Sequence, residues 1–191
     1  VKFSSTGARI WATYYGGTGT DYLYSIKIDP SGNVYVGGQT DSPAGIASGG
    51  FQNTFSGGVY DTYLAKFSAA GTLIWGTYYG GPSYEECYGV ATDASGNVYL
   101  AGDTYSTSGI ASAGYDTTLT GTENEFVVKF DPDGIRLCAT YYGSLHEEDG
   151  RVAIDPAGNV YLQGYANSTS GIASGGFQNT YSGGYNDGYL V

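Results

Sequence analysis

The sequence predicts an all-β protein made of β-propeller blades: four-stranded antiparallel meanders of about 63 residues per repeat, with three blades' worth in this chain. Three observations lead there. A long pattern returns at a nearly fixed step, since Trp11-Ala-Thr-Tyr-Tyr-Gly-Gly17 reappears as Trp75-Gly-Thr-Tyr-Tyr-Gly-Gly81 and as Cys138-Ala-Thr-Tyr-Tyr-Gly-Ser144, at steps of 64 and 63 residues. Each period holds four short runs rich in Tyr, Val, Ile, Phe and Trp, the composition of strands. Glycine punctuates the chain, with 33 among 191 residues, and no stretch free of Gly and Pro exceeds twelve residues, so long helices have no room.

Taken in chain order, residues 1–16 read as the end of a third strand plus the fourth strand of a preceding or closing blade. Blade 1 follows over 22–79, blade 2 over 86–142, and blade 3 over 150–191 without its outer strand. Within blade 1 the four segments are A (24–29), B (33–39), C (61–68) and D (72–79). The A–B link is Asp29-Pro-Ser-Gly-Asn33, where Pro pre-sets φ at the first turn position and Gly supplies the left-handed residue that closes the hairpin. Asp29, Gly32, Asp93, Gly96, Asp155 and Gly158 are therefore structural turn residues. The C–D links Ser4-Ser-Thr-Gly7, Ser68-Ala-Ala-Gly71 and Asp131-Pro-Asp-Gly134 follow the same logic. A ten-residue segment, Gly-Ile-Ala-Ser-Gly-Gly-Phe-Gln-Asn-Thr, occupies 45–54 and recurs identically at 171–180 in the long B–C loops.

A lone four-stranded sheet with apolar residues on both faces cannot hide them, so successive sheets have to stack face to face around an axis. Propellers use four to eight blades. Three are too few to close, which predicts further copies of the repeat, or other chains of the same protein, as partners. The chain begins at Val with no basic segment followed by an apolar one, and reads as an excerpt of something longer.

Charge and composition exclude several classes. A formal net charge of −11 argues against nucleic acid as a partner, and no apolar run of 18 residues exists to insert into a membrane as a helix. Cys87 and Cys138 match no metal or redox spacing, and their repeat positions, shared with Leu23 and Trp11, point to buried free thiols.

Alternating strands put the A–B and C–D turns at one end and the D–A and long B–C loops at the other. Asp29, Asp93, Asp131, Asp133 and Asp155 fall in the tight turns, which leaves 13 of the 18 acidic residues at the loop-rich end. That end is expected to be strongly negative and, as loops on a rigid scaffold, to be the place for binding. The candidate binding residues are Asp21, Glu85, Glu86, His146, Glu147, Glu148 and Asp149. His146 with its three acidic neighbours could form a metal or acid/base cluster, but it is the only His and its neighbours are adjacent in sequence rather than at ligand spacing, which favours a solvated loop. Asp21, Asp61, Glu85 and Asp187 sit at repeating positions and are candidate Ca²⁺ ligands, or alternatively acceptors for loop amides. The Tyr pairs 14/15, 78/79 and 141/142 suit blade packing or sugar stacking, and Lys2, Lys66 and Lys129 are expected to meet a carboxylate or reach solvent. With one His, no nucleophile–base set repeats, and no Gly-x-Ser-x-Gly elbow or phosphate loop is present. No catalytic residue, resident cofactor or metal is expected.

Gly-Asn-Val-Tyr-Val-Gly-Gly at 32–38, Tyr-Leu-Ala-Lys-Phe at 63–67 and Thr-Tyr-Tyr-Gly-Gly at 77–81 resemble the bacterial SBBP beta-propeller repeat. The Gly-Ile-Ala-Ser segment resembles the variant found in large secreted proteins of Bacteroidetes. The resemblance covers the whole chain and implies a propeller, extracellular or cell-surface location and type IX secretion; Cys138 in place of Trp departs from the pattern. The function expected is a non-enzymatic structural or adhesion module, with surface glycans or proteins as partners. Two alternatives stand beside it: a glycan- or Ca²⁺-dependent binding module using the acidic, Tyr-rich loop face, and an acidic propeller hydrolase.

Overall fold

The computed structural model describes every residue except Leu145 and His146, and of Glu147 and Glu148 the backbone alone. All secondary structure among the described residues is β, so no helix is long and apolar enough to cross a membrane. Strands β3 (Asp21–Ile28), β4 (Val34–Thr40), β5 (Asp61–Phe67) and β6 (Leu73–Tyr79) form one antiparallel meander. A second comprises β7 (Glu85–Thr92), β8 (Val98–Thr104), β9 (Asn124–Phe130) and β10 (Arg136–Tyr142). Blade 3 shows β11 (Glu147–Ile154), β12 (Val160–Ala166) and β13 (Asp187–Leu190), and β1 (Lys2–Phe3) pairs β2 (Arg9–Trp11) ahead of blade 1. The first strands lie against the preceding sheet, β7 on β3 and β4, and β11 on β7 and β8, which is the radial stacking expected of blades.

The first strands start earlier than composition suggested, at Asp21 rather than 24, because a bulge interrupts each of them. The register of β3 on β4 slips between Leu23 and Ser25, that of β7 on β8 between Cys87 and Gly89, and that of β11 on β12 between Glu148 and Arg151. A bulge adds twist and re-aims the residues beyond it. Hairpin closure is local: Asp29 Oδ1 accepts from the Asn33 amide at 2.8 Å, Asp29 Oδ2 accepts from Asn33 Nδ2 at 2.9 Å, and Gly32 carries a φ of 84°. Asp93 with Asn97 and Asp155 with Asn159 repeat the arrangement, with Gly96 and Gly158 at the left-handed position.

The largest core lies in the seam between blades 1 and 2. Tyr35, Leu64, Trp75 and Tyr79 of blade 1 cover Cys87, Val90, Val98, Leu100, Phe126, Val128 and Phe130 of blade 2. Polar atoms lock the seam. Trp75 Nε1 and Lys66 Nζ both donate to the Pro132 carbonyl in the next blade's β9–β10 turn, at 3.0 and 2.7 Å. Trp11 Nε1 and Lys2 Nζ do the same to Ala69, both at 3.1 Å. The carboxylate or solvent partner expected for these lysines is thus replaced by a backbone carbonyl, which a strand-end cation reaches without burying a second charge. Lys129, whose strand neighbour is Cys138 instead of Trp, pairs with Asp93 at 3.5 Å.

Candidate functional site

The loop-rich end of blades 1 and 2 is built around the first residue of each blade's first strand. In blade 1 Asp21 accepts from the Gly17 amide at 2.8 Å and from the hydroxyls of Thr40 and Ser42, tying the loop before β3 to the end of β4. In blade 2 Glu85 Oε2 accepts from the Gly81 amide at 3.0 Å and Oε1 from Thr104 Oγ1 at 2.8 Å. This explains the Tyr-Tyr-Gly word. The carboxylate occupies the space a side chain would need, so that a Cβ on Gly16 would lie 2.5 Å from Asp21 Oδ2, and one on Gly80 2.6 Å from Glu85 Oε2.

The first residue of each third strand holds the B–C loop in the same manner. Asp61 Oδ2 accepts from the Ser56 amide at 2.7 Å, Asn124 Oδ1 from Thr120 at 2.8 Å and Asp187 Oδ2 from Ser182 at 2.6 Å. The carboxylates considered for Ca²⁺ are thereby engaged as loop acceptors, and no group of three or more His, Cys, Asp or Glu among the described residues is placed to hold a metal. Asp21 and Asp187 bond to separate loops, whereas Asp61 and Glu85 do meet: both approach the same point beside Gly80 to 2.6 Å, putting their oxygens no more than about 5 Å apart. Both side chains are fully buried, and Asp61 Oδ1 has no hydrogen-bond partner. Burial pushes the Asp61 carboxyl up to about 7; the Ser56 amide opposes this and the neighbouring Glu85 adds to it. Glu85 is raised as well, by burial, against the pull of Ser106, Thr104 and Gly81.

The open, strongly negative rim expected from the charge count is not what the chain builds. Of the loop-end carboxylates whose side chains are described, Asp61, Glu85, Asp103, Glu123 and Glu125 are buried, and Asp21, Asp41, Glu86, Asp116, Asp149 and Asp187 are half-buried. Loop amides need acceptors, and a carboxylate supplies two oxygens that reach several at once. Asp103 accepts from the amides of Asp149, held at a φ of 63°, and Gly150 across the seam to blade 3. Its pKa is raised well above the ordinary carboxylate range by burial, with Glu123 adding. Glu86 accepts from Tyr88 at 2.8 Å. His146 lies outside the described residues, as do the side chains of Glu147 and Glu148.

Of the Tyr pairs, Tyr14 is fully exposed and the other five belong to packing. Tyr78 and Tyr141 donate to the Ser42 and Ser106 carbonyls at 2.8 and 2.7 Å within their own blades. Tyr15, Tyr79 and Tyr142 reach into the next blade, to the carbonyls of Ile46, Ile110 and Ile172 in the Gly-Ile-Ala-Ser segments. A different aromatic set, not singled out by the repeats, lines the rim: Tyr24 stacks on Tyr22, and contacts run on through Tyr60 and Tyr84 to Tyr105 with ring centroids 5.9 to 6.2 Å apart. Tyr22, Tyr24 and Tyr105 are exposed. Their signal was a mismatch between copies, since Tyr84 falls where blade 1 has Thr20, and Tyr105 where it has Asp41.

Comparison with known proteins fits this geometry. A family model described as SBBP, Beta-propeller repeat, matches residues 10–43 and 74–109. Each match runs from the last strand of one blade through the first hairpin of the next, the unit that makes a seam. An uncharacterized WD repeat-containing protein of Acanthamoeba polyphaga mimivirus is 27% identical over 200 residues, covering 87% of this chain. The chain spans 14% of that relative's length. Repeated seams and shared turn chemistry thus accompany a match of residues 10–43 and 74–109 to the SBBP beta-propeller repeat.

Proposed function

We propose that this chain is a non-enzymatic structural and adhesive module of a secreted or surface-displayed bacterial protein. The observation that carries this reading is the common task of the loop-end acceptors: the carboxylates of Asp21 and Glu85, like the Asp61 carboxylate and the Asn124 amide, hold loops in successive blades. A catalytic site requires one blade to differ chemically and to leave a titratable group free for substrate. Display outside the cell is supported by the resemblance of the repeats to those of large secreted proteins. The test is a turnover screen on polysaccharides and esters, with no activity above background expected. Hydrolysis abolished by Glu147→Gln or Glu148→Gln would overturn the reading in favour of an acidic hydrolase.

A second reading, a glycan-binding module, is favoured by the tyrosine row from Tyr24 to Tyr105, which is concentrated at one seam and partly exposed beside Glu86 and Glu123. Aromatic rings present apolar faces to sugars while neighbouring carboxylates accept hydroxyl hydrogens. Glycan-array binding that disappears in Tyr84→Ala would establish it. Binding lost on adding EDTA would make it Ca²⁺-dependent, and an array without hits would remove it.

A further inference from the structure

The fourth strands β6 and β10 each lie at the margin of a sheet, paired with β5 and β9 on one side only. Such a margin offers outward amides and carbonyls to any strand that meets it. In both blades that place is taken by the chain's own B–C loop. Ser48 and Gly76 exchange both backbone bonds, at 2.8 and 2.9 Å, and the Tyr78 amide donates to the Gln52 carbonyl at 3.0 Å. The Gln52 amide donates in turn to Thr77 Oγ1 at 2.7 Å. Blade 2 repeats each bond: Ser112 with Ala139 at 2.9 and 2.8 Å, Tyr141 to the Asp116 carbonyl at 3.0 Å, and the Asp116 amide to Thr140 Oγ1 at 2.8 Å. Gln52 and Asp116 differ in side chain, so what the two loops share is a backbone path.

That path depends on two adjacent residues. Gly49 and Ala113 take left-handed φ values of 71° and 56°, which kinks the loop between its two attachments to the strand. Gly50 and Gly114 then lie flat on the strand. A Cβ on Gly50 would stand 2.6 Å from Thr77 Cβ and 2.7 Å from the Gly76 carbonyl oxygen, and one on Gly114 2.3 Å from the Ala139 carbonyl oxygen. At its start the same loop holds the neighbouring blade. Ile46 and Ile110 are buried, and their carbonyls accept from Tyr15 ahead of blade 1 and from Tyr79 of β6.

We propose that the Gly-Ile-Ala-Ser segment is an edge guard. It covers the outward hydrogen-bonding groups of its own blade's fourth strand, clasps the preceding blade through the isoleucine carbonyl, and so keeps the blade from pairing edge to edge with a strand of another copy. The guard does not become a new edge itself. The left-handed residue between its attachments interrupts the regular run of outward amides that a further strand needs, as bulges do where sheets blunt their margins. A repeat protein has particular need of such a device, because every blade carries nearly the same strands and an uncovered margin fits the margin of any other copy. This role goes beyond the display reading and stands whether or not the module adheres to anything.

The test is hydrogen exchange read amide by amide, with two variants that add the same methyl group one residue apart. In the wild type the Gly76 and Tyr78 amides should be protected at least about 100-fold over open amides, although they face the outer side of a sheet. Gly49→Ala puts its methyl in open space, at a left-handed φ that Ala113 already adopts in blade 2, and should keep that protection. Gly50→Ala drives its methyl into Thr77 and the Gly76 carbonyl, and should lower protection at Gly76 and Tyr78 at least about 10-fold while the amides of β4, paired on both sides, keep theirs. Light scattering at rising concentration should then show more self-association for Gly50→Ala than for the wild type or Gly49→Ala. Thr77→Val keeps a branched side chain but removes the acceptor for the Gln52 amide, and should loosen Tyr78 more than Gly76. Wild-type Gly76 and Tyr78 exchanging like open amides, equal losses in the two alanine variants, Thr77→Val leaving Tyr78 as protected as in the wild type, loss spreading to β4, or an uncovered margin without added self-association would each overturn the proposal.

Discussion

The carboxyl of Asp61 is the sharpest point at which this fold should respond to pH. It is fully buried at the blade 1–blade 2 seam, one oxygen has no partner, and Glu85 lies within about 5 Å. Its folded pKa of about 7 stands above the ordinary value of 3.8. A group raised on folding favours the folded state when protonated, so its contribution is complete below about pH 4 and is lost as pH rises through 7. Between pH 5 and pH 8 that linkage amounts to about 2.5 kcal/mol, and solvent near the seam reduces the expected share to about 1–2 kcal/mol. Blade 2 already carries the neutral alternative, since Asn124 occupies the equivalent position, accepts from Thr120 and donates back to the Thr120 and Glu123 carbonyls. Asp61→Asn should therefore leave stability at pH 5 nearly unchanged, raise Tm at pH 8 by about 2–6 °C, and remove that part of the pH dependence. Thermal melts from pH 5 to pH 8 measure it. A variant with the wild-type pH profile, or one less stable at pH 8, would refute the idea that a buried, strained charge sits at this seam.

Other substitutions probe the seam and its loops. Trp75→Ala removes a buried ring and the bond to Pro132, and should cost about 3–5 kcal/mol in denaturant unfolding. Tyr79→Phe keeps the ring but removes the hydroxyl donor of the buried Ile110 carbonyl, which retains only the longer bond from Arg136 Nη1 at 3.3 Å, and a loss of about 1 kcal/mol is expected. Gly80→Ala places a methyl 2.6 Å from both the Asp61 and Glu85 carboxylates, and a drop of about 2 kcal/mol or more is expected from the forced shift. Cys87 is fully buried, with burial pushing its thiol up to about 12, whereas Cys138 is partly exposed. Thiol reagents on the folded chain should label Cys138 alone, with Cys87 labelled only after unfolding.

What the sequence made legible was whatever is encoded locally. Strand segments, hairpin turns such as Asp29 to Asn33, and the repeat step all rest on residues a few positions apart, and the number of strands per blade followed from them. The seam was not legible in the same way. Lys66 and Trp75 find their acceptor 66 and 57 residues onward, and nothing in the composition of those strands says that a backbone carbonyl will stand there. The bulges are not legible in the sequence either, because a slip of register leaves the alternation of residue types almost intact on either side of it.

The charge count failed for a more instructive reason: net charge says how many carboxylates a face holds, not how many solvent can reach. A better indicator was in the repeats themselves. Asp at 61 and 187 alternates with Asn at 124, and Asp at 21 with Glu at 85. A position that holds Asp in two repeats and Asn in a third keeps an oxygen acceptor and its reach rather than a charge, which is what loop amides require. Charge is retained where two or more donors converge, as on Asp21 and Glu85. The acidic residues whose bonds are described at the loop end thus serve to hold long loops on short strands.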